Sequence, residues 1–329
     1  MGLCLIHADG LMNELAQITE FDSFSAIITT DRDSDCDWEL TMPEGAWTRC
    51  PIRPGHYICI EGSEWGGPVE QVRHVSSEGQ IKLRGTCWRG LLRRRVIAPA
   101  AGDTHVTLPV TEANAAIAGL MGSWQNRLFS VSTEDSGLLC SASLRYKTLL
   151  DALEDMLGAA GGRLSAVFGD GQVHLSALPV RDMSDMVELS QEYDARLLTD
   201  HSARVYNHII ALGRGEMLER QVVELWLLPD GTLTDDVSLV PEPDSVSTLL
   251  YDYSAVETPE ELERSARSRL LSYAAESSME IEMTDNIGLE LTDTASVRDT
   301  LTGMTAVLTV TACELTVKPS GIVMTHHLS

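Results

Sequence analysis

At roughly 150 residues per domain, a chain of 329 residues suggests two or three domains, and 24 Lys and Arg against 49 Asp and Glu leave it a formal charge of -25. That deficit opposes adsorption to nucleic-acid phosphates or anionic lipid, while 43% hydrophobic and 22% charged residues argue against a disordered or fibrous chain. No apolar run nears the roughly 18 residues of a membrane span. The first twenty residues carry His7, Asp9, Glu14 and Glu20 without a basic region ahead of an apolar one, so no secretory signal is expected. Seven cysteines without a CxxC pair read as reduced core thiols, and folding in a cytoplasm follows.

From Phe24 to Val96 the pattern predicts strands separated by turns. Trp38, Leu40 and Met42 alternate with Glu39 and Thr41, the period of two of a half-buried strand. Tyr57 to Ile60, Val69 to Val75 and Ile81 to Leu83 follow, punctuated by Gly62, Gly66-Gly67-Pro68 and Ser77-Glu78-Gly79, which predicts an antiparallel sheet or small barrel. Ala113, Ala116, Ile117, Leu120 and Met121 then fall on one helical face, ended by Gly122. Tyr146, Leu149, Leu150, Leu153 and Leu157 form a second apolar stripe, closed by Gly161-Gly162. Leu164 to Phe168 and Val173 to Leu178 flank Gly169-Asp170-Gly171 as a hairpin. Strands are expected again at Val205 to Leu212 and at Val222 to Leu228, the latter stopped by the turn Pro229-Asp230-Gly231. Thr258-Pro259-Glu260-Glu261 is a capping box for a helix that buries Leu262, Ala266, Leu270, Tyr273 and Ala274. Met279, Ile281 and Met283 alternate with glutamates, and Thr305 to Val317 is rich in Thr and Val, so the chain closes on strands.

Motifs that would carry chemistry are weak. Asp31, Asp33, Asp35 and Asp37 alternate as calcium ligands do, but Cys36 stands where the loop glycine belongs and Met42 where the bidentate glutamate belongs, which favours a solvated hairpin turn. Cys4 and His7 have zinc-like spacing with no second pair, and His326-His327 stands alone. No nucleophile elbow of the G-x-S-x-G type occurs, and Gly213-Arg214-Gly215 lacks the third glycine of a phosphate cradle. No cofactor, metal or catalytic set is expected. Between Ile81 and Ala100 six basic residues (Lys82, Arg84, Arg89, Arg93, Arg94, Arg95) and no acid accompany Trp88, Leu91 and Leu92 on a strand-like segment. That segment is either a solvated strand edge or a subunit contact, since Arg and Trp are favoured at interfaces. Between Asp230 and Thr300, 17 acids stand against four bases, the composition of a solubilising surface.

Several stretches, taken together and in order, resemble a known family. Phe21-Asp22-Ser23-Phe24, Trp38-Glu39-Leu40-Thr41-Met42-Pro43, Pro54-Gly55-His56-Tyr57-Ile58, Val69-Glu70-Gln71-Val72, and Leu83-Arg84-Gly85 leading to Arg89-Gly90-Leu91-Leu92-Arg93-Arg94-Arg95-Val96-Ile97 look like the N-terminal half of siphovirus tail hub proteins. Tyr146-Lys147-Thr148-Leu149-Leu150-Asp151-Ala152-Leu153 resembles that family's middle helix. Asn207-His208-Ile209-Ile210-Ala211-Leu212-Gly213, with Gly215-Glu216 and Arg220, resembles the start of its second barrel. The family's Gly-Asp-x-Val turn is only approximated by Asn286-Ile287-Gly288-Leu289 and Thr294-Ala295-Ser296-Val297, which leaves the register of the last strands open. No enzymatic module of the kind some tail-tip proteins carry follows residue 320, which speaks against a peptidoglycan-cleaving version.

The resemblance implies an α+β, mainly β fold: two tube-type antiparallel β-barrels with an intervening mixed α/β domain, as in a baseplate hub. It implies a first barrel over residues 1–107, a peripheral domain over 108–188 and a second barrel with one embedded helix over 189–329. It further implies a homotrimeric, pseudo-sixfold ring at the virion tail tip, assembled in the host cytoplasm. Its partners would be a distal tail protein or tail-tube ring, a tape-measure protein and tip or receptor-binding proteins, with DNA passing through unbound and no membrane insertion. On that reading Arg89, Arg93, Arg94 and Arg95 are candidates for the subunit contact, and Asp285, Glu290, Asp293 and Asp299 for an acidic lumen. The alternatives are a tail-associated cell-wall hydrolase, for which no catalytic constellation is found, and a host-surface-binding module, whose aromatic cluster is not apparent at 5% aromatic content.

Overall fold

A computed structural model describes residues 4–122, 128–193, 195–201, 206–228, 231–240, 246–256, 258–272, 277–284 and 288–329. It is mainly β and divides into two compact units, Met1–Leu197 with Glu280–Ser329, and Leu198–Met279.

The larger unit is organised by one antiparallel sheet in the order Gln71–Val75, Gln80–Thr86, Asp37–Pro43, Ser23–Thr29, Thr305–Lys318 and Gly321–Leu328. Cross-strand register explains the alternation. Leu83 faces Leu40, Leu40 faces Phe24, and Phe24 faces Val317, so one side of the pleat is apolar from both ends of the chain. Phe24, Trp38, Leu40, Ile81, Leu83, Leu315 and Val317 are all buried on that side. Thr294–Arg298 pairs with Thr305–Lys318 from Thr294↔Thr309 to Arg298↔Thr305, which fixes the register of the last strands. A second sheet places Leu5–Ala8 between Glu14–Ile18 and Tyr57–Ile60, with Gly66–Pro68 at its edge.

The middle of the chain packs two helices against a hairpin. Helix Ala113–Met121 begins at Glu112, whose carboxylate accepts from the Ala115 amide. Helix Leu149–Ala159 begins at Thr148, whose hydroxyl accepts from the Asp151 amide at 3.2 Å. Leu149, Leu150, Leu153 and Leu157 bury against the strands Gly162–Gly169 and Gln172–Pro179. Those strands are joined through Asp170 and Gly171, both at positive φ as the tight hairpin requires. This core also contains Ile6, Cys59, Trp88, Leu92 and Ile97, and Trp88 stacks on Phe168 at 5.8 Å and on Tyr57 at 6.1 Å. The middle segment therefore shares one core with the N-terminal strands, and the C-terminal strands share one sheet with Ser23–Thr29. The expected boundaries at 107 and 188 do not coincide with the compact units.

Trp88–Arg93, expected within a strand-like run, is a helix following Gln80–Thr86. A six-residue helix, Glu44–Arg49, sits where a turn was expected. No sheet closes on itself among the described residues.

The smaller unit has a four-stranded sheet, Leu233–Thr234, Val222–Leu227, His208–Leu212 and Thr248–Asp252, the last pair parallel. Helix Pro259–Leu271 lies on one face, burying Leu262, Ala266 and Leu270 against Ile209, Ala211, Leu225 and Leu227. Its start is the predicted capping box, with the Thr258 hydroxyl accepting from the Glu261 amide at 3.2 Å. Tyr273, Ala274, Val205, Pro229, Asp230, Asn286 and Ile287 lie outside the described residues.

Candidate functional site

The basic segment divides by burial. Helix Trp88–Arg93 starts directly after the strand Gln80–Thr86, and its first turn faces inward, so Arg89 is only 3% exposed. Its guanidinium donates through Nε to Glu64 at 2.8 Å, through Nη2 to Glu64 at 3.3 Å and to the Leu164 carbonyl at 2.6 Å, and through Nη1 to Glu154 at 3.3 Å. Glu64 also accepts the Ala166 amide at 2.8 Å. This is the rigid fork that arginine offers to carboxylates, and it ties three parts of the larger unit together. Burial pushes the Glu154 carboxyl up. Arg89 is thus an internal residue of this chain.

Arg93 donates to the carbonyls of Ser34 and Asp31, the latter at 3.2 Å. The aspartate-rich loop is therefore organised by an arginine of its own chain between the strands Ser23–Thr29 and Asp37–Pro43. Arg94 and Arg95 remain at the surface, Arg94 paired with Glu70. Of the four candidates, these two are placed where another molecule could meet them.

The acidic candidates are likewise committed within the chain. Asp293, 0% exposed, accepts from Arg181 and from the Glu290 amide at 2.8 Å. Asp299, 6% exposed, accepts the amides of Leu301 at 2.9 Å and Thr302 at 3.3 Å, the Thr302 hydroxyl at 2.7 Å and the Gln191 amide group at 2.9 Å. Both are buried and hold loops between the last strands. Glu290 is more open, and its charge is answered by Arg163 and Arg181. Asp285 lies outside the described residues.

Between these two ion clusters lies a cavity of about 300 Å³, with Arg89, Glu64, Arg163, Glu290, Cys313 and His326 in its wall. Its arginines are matched by carboxylates, burial pushes the Cys313 thiol up to about 12, and His326 meets the Leu289 carbonyl at 3.0 Å. No activated nucleophile stands in it.

A cluster that sequence spacing missed involves His7. Its Nδ1 lies 3.3 Å from the Cys50 sulfur, and its Nε2 lies 2.7 Å from Nδ1 of His56. Burial, with help from His56, pushes the His7 imidazole down to about 4. At neutral pH the ring is therefore uncharged. Only the fold pairs residues 7 and 50; the CxxH spacing had pointed to Cys4. No group of three or more His, Cys, Asp or Glu suited to a metal ion occurs among the described residues.

No protein-family model and no curated protein matches this chain. Solved structures do. The tail protein of prophage MuSo2 from Shewanella oneidensis superposes with a TM-score of 0.55 at 12% identity, over 99% of this chain and 98% of that one. A prophage tail protein of Listeria monocytogenes gives 0.53 at 13% identity, over 99% and 94%. A chain of the phage P2 baseplate gives 0.51 at 8% identity, over 99% and 98%. The chain therefore has the fold of phage tail and baseplate proteins along its length.

Proposed function

We propose that the protein is a structural hub of a phage or prophage tail, three copies of which close into a ring at the tail tip. The supporting observation is a fold shared over 99% of this chain with the two prophage tail proteins, covering 98% and 94% of their own chains. Three copies about one axis present a pseudo-sixfold surface to a hexameric tail tube. The ring joins a distal tail protein or tube ring and the tape-measure protein on one side to tip or receptor-binding proteins on the other. It is assembled in the host cytoplasm and carried in the virion.

The net charge of -25 suits a conduit for DNA, because an electronegative wall repels phosphates where a basic one would neutralise and hold them. The role is structural: the buried arginines Arg89 and Arg163 are already matched by carboxylates and tie the chain to itself.

Sedimentation of the purified protein, alone and with isolated tail tubes, tests the reading. A species three times the 35.9 kDa chain mass that caps the tubes is expected. A monomer that neither trimerises nor caps tubes, and that clears a peptidoglycan zymogram, overturns it.

A further inference from the structure

The central strand of the smaller unit, His208-Ile209-Ile210-Ala211-Leu212, carries apolar residues on both faces, and its neighbour Val222–Leu227 nearly does so. A strand buried on one face alternates apolar with polar residues, whereas a near-continuous apolar run marks a strand covered on both. One cover is in place: helix Pro259–Leu271 packs on Ile209, Ala211, Leu225 and Leu227. Cross-strand register defines the other face. Ile210 lies between Glu224 and Leu250, Leu212 between Val222 and Asp252, and His208 between Trp226 and Thr248. On that face Leu250 is 66% exposed and Val222 56%, while Ile210, Leu212 and Trp226 are half-buried. The hairpin tip that precedes Val222 adds Met217 and Leu218, both exposed. An ordered apolar sheet face left to water marks a contact site.

Charge decides what covers it. Glu216, Glu219, Glu224, Asp235, Asp236 and Asp252 border the face, against Arg214 and Arg220. Arg220 is committed to Asp252 at 2.7 Å. Glu224 meets His208 at 3.0 Å, but burial pushes that imidazole below its ordinary value, so at neutral pH the ring brings Glu224 no positive charge. Glu216 and Glu219 stand exposed on either side of Met217 and Leu218. The complement of such a face is an apolar surface with basic margins. A second copy of this chain, with a net charge of -25, is repelled by the acidic rim. The sheet already takes a helix on its opposite side, and a sheet apolar on both faces is satisfied by a helix on each.

We propose that this second face of the smaller sheet docks an amphipathic helix of another protein, apolar along its centre and bordered by lysine or arginine. The completed layers bury Ile210, Leu212, Val222, Trp226 and Leu250 as helix Pro259–Leu271 buries the other side. The face belongs to one unit of one copy, so the docking does not depend on how many copies associate.

The test uses the full-length protein with photoreactive benzoylphenylalanine at Leu250. Its probe is a dye-labelled leucine–lysine helical peptide of about 14 residues, roughly 21 Å at 1.5 Å per residue and close to the length of helix Pro259–Leu271. Saturable binding by fluorescence anisotropy and a cross-link from position 250 to the peptide are expected. Leu250→Ser with Val222→Ser should weaken binding about tenfold or more, with circular dichroism reporting a folded chain. Glu216→Gln, Glu219→Gln and Glu224→Gln together should weaken it by a similar factor and flatten its salt dependence. The same loss of charge elsewhere, Glu14→Gln with Glu78→Gln and Glu134→Gln, should leave it unchanged. The docking is overturned if the two glutamate sets act alike, which would reduce the attraction to net charge, or if the serine variant binds as wild type does. A leucine–glutamate peptide that binds as tightly, or a cross-link from position 250 to a second copy of the chain in place of the peptide, overturns it as well.

Discussion

Arg89 shows why side-chain chemistry alone did not sort the basic segment. Six cations without an acid in twenty residues read as one surface, yet Arg89 meets Glu64 and Glu154, 25 and 65 residues away in the chain. Partners so distant are invisible to local pattern. Removing the guanidinium strands two half-buried carboxylates, a change that costs up to the roughly 3–5 kcal/mol of breaking a fully buried pair. Urea unfolding of Arg89→Ala should show a loss of that size, and Arg89→Lys an intermediate one, because an ammonium keeps the charge but not the fork. Full stability in Arg89→Ala would mean that water solvates Glu64 and Glu154. His7 makes a second prediction at this scale. Its folded pKa of about 4 lies below the 6.5 of the unfolded chain, with burial and His56 as causes and Asp9 opposing them. Between those values the unfolded chain binds a proton that the folded chain refuses, so stability is fully present above about 6.5 and falls as the pH drops toward 4. His56, Cys50 and Asp9 stay in place in His7→Gln, so the difference in urea midpoint between wild type and variant across pH 4 to 7 isolates this ring. Parallel pH curves for the two proteins would dismiss it.

Among elements, the long periodic ones were legible. The stripe around Leu149, Leu150, Leu153 and Leu157 and the capping box at Thr258 found their helices, and the alternation of Trp38, Leu40 and Met42 found its strand. The two six-residue helices, Glu44–Arg49 and Trp88–Arg93, were not found, because fewer than two turns cannot display a 3.6-residue period. Trp88–Arg93 is held by tertiary packing, and Gly90 is where that packing is tightest. A Cβ at Gly90 would fall 1.8 Å from the Thr86 hydroxyl, which itself donates to the Cys36 carbonyl at 3.0 Å. Glycine to alanine inside a helix ordinarily gains up to about 1 kcal/mol, whereas overpacking a buried contact costs about 1–3 kcal/mol. The collision wins here. Gly90→Ala should therefore lower the urea midpoint of the larger unit, and Thr86→Ser in the same chain should not recover it, since the overlapped atom is retained. A stabilised Gly90→Ala protein would contradict the close approach.

At the scale of the whole molecule, pairing was the part that composition and periodicity could not reach. The resemblance to tail hub proteins implied a barrel at each end of a mixed middle. In the fold the Thr29 and Thr30 hydroxyls donate to the Thr311 carbonyl, and Thr305–Lys318 runs alongside Ser23–Thr29. Contacts across some 280 residues carry no local signature, and they make the two chain ends one cooperative body. The residues from Leu198 to Met279 form the other body, with a core of their own around Ile209, Leu225, Leu227, Leu262 and Leu270. Separate cores need not melt together. Urea should therefore unfold the chain in two transitions whose steepness follows the area each unit exposes. Leu262→Ala, which hollows the smaller core, should lower only its transition, by about 2–5 kcal/mol, and Leu150→Ala should lower only the other by a similar amount. Segment-resolved hydrogen exchange assigns each transition to its residues. If Leu262→Ala shifted protection equally at Leu40 and at Leu225, the two cores would be energetically one, and the C-terminal strands would be coupling them through the chain that joins the units.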